Sequence, residues 1–191
     1  YCKFVATQMF FIMPTHTIRT KMKIKNVELK AKTNTPQSAR DILEKLGARY
    51  VGCDKQLDTY FNTPNGRLKL REGNIENSLI HYNRENTKDA KVSDIAYSKS
   101  SKSVDVKHVL ISSFGVLIEV KKERHIYFID HVKFHVDYLE DLGSFLEVEV
   151  IDEYNEYSIE EMNLLCKKYQ DVLGILESDL LTHSYSDMLG L

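Results

Sequence analysis

Between Ile24 and Lys32 the chain alternates strictly. Asn26, Glu28, Lys30 and Lys32 fall on one side of an extended strand, and Val27, Leu29 and Ala31 on the other. The pattern recurs four times. Arg67, Lys69 and Arg71 oppose Leu68 and Leu70, and Lys122 and Arg124 share a face within the stretch from Val116 to Phe128. Lys133, His135 and Asp137 oppose Val132, Phe134 and Val136, and Glu147 and Glu149 oppose Leu146, Val148 and Val150. A single strand of this kind is ordinarily a sheet with one side in water. Five of them, joined by connections as short as Ile129-Asp130-His131 and Asp141-Leu142-Gly143, predict an antiparallel sheet closing on itself. Its charged faces would be gathered inside and its apolar faces covered outside by helices.

Three segments can supply those helices. Residues 36–46 begin at Pro36, place Ala39, Ile42, Leu43 and Leu46 at helical spacing and stop at Gly47. Residues 104–114 carry Val106, Val109, Leu110 and Phe114 and stop at Gly115. Residues 158–173 open with Ser158 and Glu161, a capping-box pair, and carry Ile159, Met162, Cys166, Tyr169 and Leu173 on one stripe. Cys166 therefore reads as core. Asn65-Gly66 after Pro64 reads as a hairpin turn, and the polar segment from Asn86 to Ser103 as a mobile basic loop.

With 191 residues and 42% hydrophobic content, one compact domain over residues 22–191 is expected, preceded by a leader or flexible arm at 1–21. The run Met9–Met13 is far short of the roughly 20 apolar residues of a membrane span. Cys2, Cys53 and Cys166 are odd in number and far apart, which favours a reducing, cytoplasmic setting over a disulfide framework. The net charge of −2 hides strong segregation: residues 1–72 carry fourteen basic and six acidic groups, residues 137–191 two and fourteen. The acidic part is interleaved with Phe145, Leu146, Val148 and Leu164, so it should fold. Basic groups set between apolar strand positions in a slightly acidic chain argue against a nucleic-acid surface.

If the charged faces converge, the interior holds Lys30, Lys32, Lys69, Arg71, Lys122, Arg124 and Lys133, with Arg84 added from the following strand. So many confined cations call for a polyanion, and a triphosphate, with about four negative charges, suits Arg forks and Lys point charges. Glu28, Asp137, Glu147 and Glu149 would repel phosphate unless a divalent metal, Mg²⁺ or Mn²⁺, lay between them. Glu147 and Glu149 on one strand face, with Glu28 across the interior, could hold it. Read as single residues, Lys30 with Glu28 could equally be a surface ion pair, and the two glutamates a solvated edge.

The blocks Asn26–Lys32, Asp58–Glu72, Lys122-Glu123-Arg124, Val136-Asp137 and Leu142–Glu149, with the closing Ser184–Leu189, resemble the CYTH superfamily, and most closely its CyaB-like branch, the class IV adenylyl cyclases. The resemblance implies an α+β fold, an eight-stranded closed antiparallel barrel with external helices that binds a triphosphate end-on with one or two divalent metals. Glu28 and Lys30 match the second Glu and the Lys of the family's ExExK signature, and Asn26 stands where the first Glu is usual. It further implies triphosphate contacts from Lys69, Arg71, Arg84, Lys122, Arg124 and Lys133, metal-side carboxylates at Asp137 and Glu147, and a homodimer. On that footing Glu28, Lys30, Lys122, Arg124, Asp137 and Glu147 are the expected catalytic group. The expected reaction is ATP to cyclic AMP and pyrophosphate. Hydrolysis of tripolyphosphate, thiamine triphosphate or a nucleotide is the alternative, and a non-catalytic triphosphate sensor the third reading.

Overall fold

The computed structural model describes residues 24–83, 91–99 and 104–190. The leader at 1–21 and Arg84 lie outside them. Eight antiparallel strands follow in chain order: β1 (Ile24–Thr33), β2 (Arg49–Phe61), β3 (Arg67–Glu72), β4 (Asn77–Asn83), β5 (Lys91–Lys99), β6 (Val116–Ile129), β7 (Val132–Leu139) and β8 (Gly143–Asp152). The helices are α1 (Pro36–Lys45), α2 (Val104–Phe114), α3 (Ile159–Val172) and the short α4 (Tyr185–Met188). Among the described residues no helix is long and apolar enough to cross a membrane.

In space the strands run β1-β5-β4-β3-β2-β6-β7-β8, with β8 returning to β1. The ring of ladders is uneven along its length. Across the seam between β1 and β5, Ile24–Glu28 pair with Ile95–Lys91, and farther along β1 Ala31 bridges Leu180 while the Leu181 N–H donates to the Lys30 carbonyl at 2.8 Å. On β2, Arg49–Gln56 pair with β6 alone, and β3 joins only from Leu57. Strands of 6 to 14 residues cannot meet edge to edge throughout. They form a staggered sheet that curls around its charged faces. A correction concerns β5, which occupies Lys91–Lys99 of the segment read as a loop. Its thin apolar content hides the strand from periodicity, and the ladders to β1 and β4 hold it in place.

Outside the sheet, Val27, Leu29, Phe134, Val148 and Val150 pack with Ala39 and Leu43 of α1 and Met162, Cys166 and Tyr169 of α3. Burial of such side chains stabilises by about 1.5–3 kcal/mol each. The α3 capping box is present, with Glu161 N–H donating to Ser158 Oγ at 3.2 Å and Ser158 N–H to Glu161 Oε2 at 2.8 Å. Cys166 sits in this core with its Sγ 3.4 Å from the Val27 carbonyl, and burial pushes its thiol up to about 12. The α2 helix covers less than its sequence suggests: Leu110 packs on Phe61 and Leu70, but Val109 is 64% exposed. The Asn65-Gly66 turn is as expected, with Gly66 at φ 65°, where a Cβ would come within 2.3 Å of Asn83 Oδ1.

Candidate functional site

Because strand residues two apart share a face, the curled sheet turns its charged rows toward one cavity of about 130 Å³. Asn26, Glu28 and Lys30 enter from β1, Lys69 and Arg71 from β3, Lys122 and Arg124 from β6, His135 from β7, and Glu147 and Glu149 from β8. This convergence is what the alternation anticipated. Lys32 does not take part: it is exposed and lines a separate surface cavity beside Thr35 and Ala39. Lys133 donates to Glu76 at 2.5 Å without lining the main cavity, and Asp137 is buried behind Arg124.

Two carboxylates that the sequence reading did not single out organise the cations. Asp58, 1% exposed, accepts from Arg71 Nε at 2.8 Å and Nη2 at 2.9 Å, from Lys122 at 2.8 Å and from Lys69 at 3.1 Å. Glu76 takes Arg71 Nη1 at 3.1 Å as well as Lys133. Burial alone would raise the pKa of Asp58, but Arg71, then Lys122 and Lys69, outweigh it and hold this carboxyl well below the usual range. Burial drives Lys122 down to about 7, with Asp58 pulling the other way. A signal for Asp58 was present, since Asp54, Gln56, Asp58 and Tyr60 form a period-2 row on β2. The polar Lys55 and Thr59 between them blur the alternation.

A second cluster surrounds Glu147. It accepts from Lys30, from Arg124 Nη2 at 2.7 Å and lies 2.8 Å from His135 Nδ1. Arg124 also grips Asp137 through Nε at 2.7 Å and Nη2 at 2.5 Å, and the Tyr185 hydroxyl donates to Asp137 at 2.7 Å. Burial opposes ionisation of Glu147 and Asp137, and Arg124 overcomes it in both, so their pKa values fall. His135 is pushed down to about 4 by burial and by Arg124, against the pull of Glu147. Among the described residues its Nε2 is buried without a partner, as is Asn26 Oδ1.

The third cluster is acidic. Glu149 faces Glu28 across the β1–β8 ladder and accepts from Asn26 Nδ2 at 2.5 Å. Its pKa rises, first through burial and then through Glu28 and Glu147, with Lys133 opposing. Beside the cavity Tyr60, Val120, Leu139, Phe145 and Tyr185 form an apolar cluster, of which Tyr60 and Tyr185 line the cavity. Tyr185 arrives from α4, which Arg67 clasps through Asp187 at 2.6 and 3.2 Å, and its ring lies 3.5 Å from Lys30 Nζ. Tyr60, Tyr82, Ile80 and Ile95 also line the cavity.

Counting only lining residues, five cations face four carboxylates. The strong excess of positive charge expected from the sequence is thus largely neutralised by Asp58 and its counterparts. The arrangement is a set of exchangeable ion pairs: an incoming polyanion can take over hydrogen bonds now made to carboxylates.

Comparison with known proteins agrees with this geometry. The CYTH domain profile matches residues 25–185. No curated protein matches the chain significantly. Among solved structures, the PH1012 protein of Pyrococcus horikoshii shares 24% identity, with 85% of this chain and 98% of that chain covered at a TM-score of 0.73. A candidate adenylate cyclase from Vibrio parahaemolyticus shares 19%, covering 87% and 98% at 0.76. A candidate adenylyl cyclase from Hippeastrum, with a dominant triphosphatase activity, shares 15%, covering 88% and 94% at 0.57.

Proposed function

This chain belongs to the CYTH domain family, and on that premise we propose that it is a divalent-metal-dependent hydrolase of triphosphates. The observation that carries the reading is the convergence of Lys30, Lys69, Arg71, Lys122 and Arg124 on a cavity of about 130 Å³ that also has an acidic wall. Sites that envelop a drug-sized ligand run to roughly 300–1,000 Å³. This one suits a phosphate chain, with any organic substituent lying outside the buried part. The dominant triphosphatase activity of the Hippeastrum relative is in keeping with that reading.

The near balance of lining charge bears on the metal. A triphosphate adds about four negative charges to a cavity whose cations are already paired, so a divalent cation is needed to restore balance. Glu28, Glu149 and the orphaned Asn26 Oδ1 are hard oxygen donors suited to Mg²⁺ or Mn²⁺. Among the described residues there is no ready cage of three acidic, His or Cys side chains. That fits an ion that takes one or two carboxylates and completes its shell with water and phosphate oxygens. Glu147 and Asp137, expected as metal ligands, hold cations here and would reach a metal by exchanging them. When bound, the metal would neutralise charge developing on the phosphate oxygens.

The chain's own residues bind and orient. Lys69, Lys122 and Arg71 leave Asp58 for the phosphate oxygens, while Asp58 keeps their head groups aligned between turnovers. Arg124 stays locked on Asp137 and offers its remaining N–H groups. In hydrolysis the oxygen of a water bonds to the terminal phosphorus. The bond to the bridging oxygen breaks with its electron pair going to the departing diphosphate, and the proton that the attacking water loses passes to the solvent.

Cyclisation of ATP is the second reading, favoured by the Tyr60, Tyr82, Ile80 and Ile95 wall that could receive a nucleoside. Incubation with tripolyphosphate, ATP and thiamine triphosphate in Mg²⁺ and in Mn²⁺, followed by chromatography, separates the two. Orthophosphate without cyclic AMP is the expected product. Cyclic AMP with pyrophosphate would overturn the hydrolytic reading.

A further inference from the structure

We infer that His135 holds the nucleophilic water, through Nε2, on a ring whose orientation Glu147 fixes. This rests on the hydrolytic reading and adds to it the group that receives the attacking water. Glu147 is hydrogen-bonded by Lys30 and by Arg124 Nη2 at 2.7 Å, both obligate donors. It therefore presents an acceptor to His135 Nδ1 at 2.8 Å, and Nδ1 carries the hydrogen. In the neutral ring that leaves Nε2 as a pure acceptor. The ring is 2% exposed, Nε2 has no partner among the described residues, and the residue lines the cavity.

An acceptor at that place is unusual. The surrounding lysines and arginines are donors directed at an anion, and every oxygen of a triphosphate is itself an acceptor. Nε2 therefore cannot be satisfied by the phosphate chain. With the neighbouring Lys30 and Arg124 donating to Glu147 and Asp137, the donor left for it is an O–H, and in hydrolysis the one that must be positioned is water. A buried acceptor left without its hydrogen bond is costly, so the site selects a bound water in the resting enzyme as well as during reaction. One hydrogen of that water given to Nε2 orients the oxygen lone pair away from the ring, into the space where the phosphate chain lies. Phosphoryl transfer depends chiefly on such placement, and loss of alignment costs about 100-fold in rate.

Two measurements test this. In the ligand-free protein, nitrogen-15 NMR of the imidazole should show His135 protonated at Nδ1 and bare at Nε2; a ring protonated at Nε2 would overturn the assignment whatever the activity. Kinetically, His135→Asn keeps a donor toward Glu147 and removes the distal acceptor. It should lower kcat for tripolyphosphate about 100-fold, with KM and melting temperature little changed. His135→Gln, which restores an oxygen acceptor near the Nε2 position, should recover part of the loss. Turnover of His135→Asn equal to that of the unmodified chain overturns this inference alone. Absence of hydrolysis by the unmodified chain overturns the function on which it rests, so the two failures are told apart.

Discussion

Asp58 and Glu149 are both buried carboxylates on the inner face of one sheet, yet their acidities move in opposite directions. Asp58 is enclosed by Arg71, Lys69 and Lys122 and falls well below the ordinary range. Glu149 faces Glu28, receives one amide hydrogen bond from Asn26, and rises. Burial is common to the two, so the partners decide the sign. The difference shows what each pole has left to offer a ligand. At Asp58 the cations are satisfied internally and must be drawn away, whereas at Glu149 the negative charge is under-compensated and attracts a cation from outside.

The sharpest way to break that contrast is at Arg124, which keeps Glu147 and Asp137 on the compensated side. Arg124→Ala leaves two buried carboxylates without their guanidinium. It should cost about 3–5 kcal/mol of stability, measured by urea unfolding, and a loss below 1 kcal/mol would mean that water replaces the ion pairs. The pH dependence of stability comes next. His135 binds a proton at pH about 4 when folded and near 6.5 when unfolded. Between those values the unfolded chain is protonated first, so stability falls as pH falls. From pH 7 to 5 the loss should be about 2 kcal/mol, and the His135→Asn variant should lack this component. Lys122 contributes the complementary arm. Its folded pKa of about 7 lies below the ordinary 10.5, so stability should climb from pH 7 toward 10, and Lys122→Met should flatten that climb.

At the acidic pole, Asn26→Ala removes both the amide that steadies Glu149 and an orphaned oxygen. Mn²⁺ affinity, followed by isothermal titration, should weaken about tenfold or more; unchanged affinity would place the metal elsewhere. The smallest effect is expected at Arg67→Ala. This bidentate pair with Asp187 is partly exposed, with side-chain accessibilities of 23% and 11%, and its loss should cost about 1 kcal/mol in thermal unfolding.

The alternation of charged and apolar residues made most of the site legible because period-2 faces are a direct property of extended backbone. Lys30, Lys69, Arg71, Lys122, Arg124, Glu147 and Glu149 needed only that one face be gathered inside, with α1 and α3 covering the other. What periodicity could not carry were features that depend on partners. Asp58 lies in a strand whose two faces are both polar in part, so its burial becomes visible only with β3 and β6 beside it. β5 has too few apolar residues to declare itself and owes its extension to two neighbouring ladders. Lys32 continues the correct face but lies at the far end of β1, where it reaches solvent. Tyr185 sits more than a hundred residues from Lys30 in sequence, on a helix of four residues, and no local pattern ties it to the interior.

The clasp of Arg67 on Asp187, with Tyr185 lodged against Lys30 and Asp137, carries a consequence for the order in which the protein is made. All eight strands leave the ribosome before residues 184–187 do, yet Asp137 and the Lys30 ammonium find one of their neighbours only in that segment. The nascent chain can therefore assemble its sheet while the Tyr185 side of the cavity is still missing, and the site is completed by a turn of helix that is synthesised after every strand.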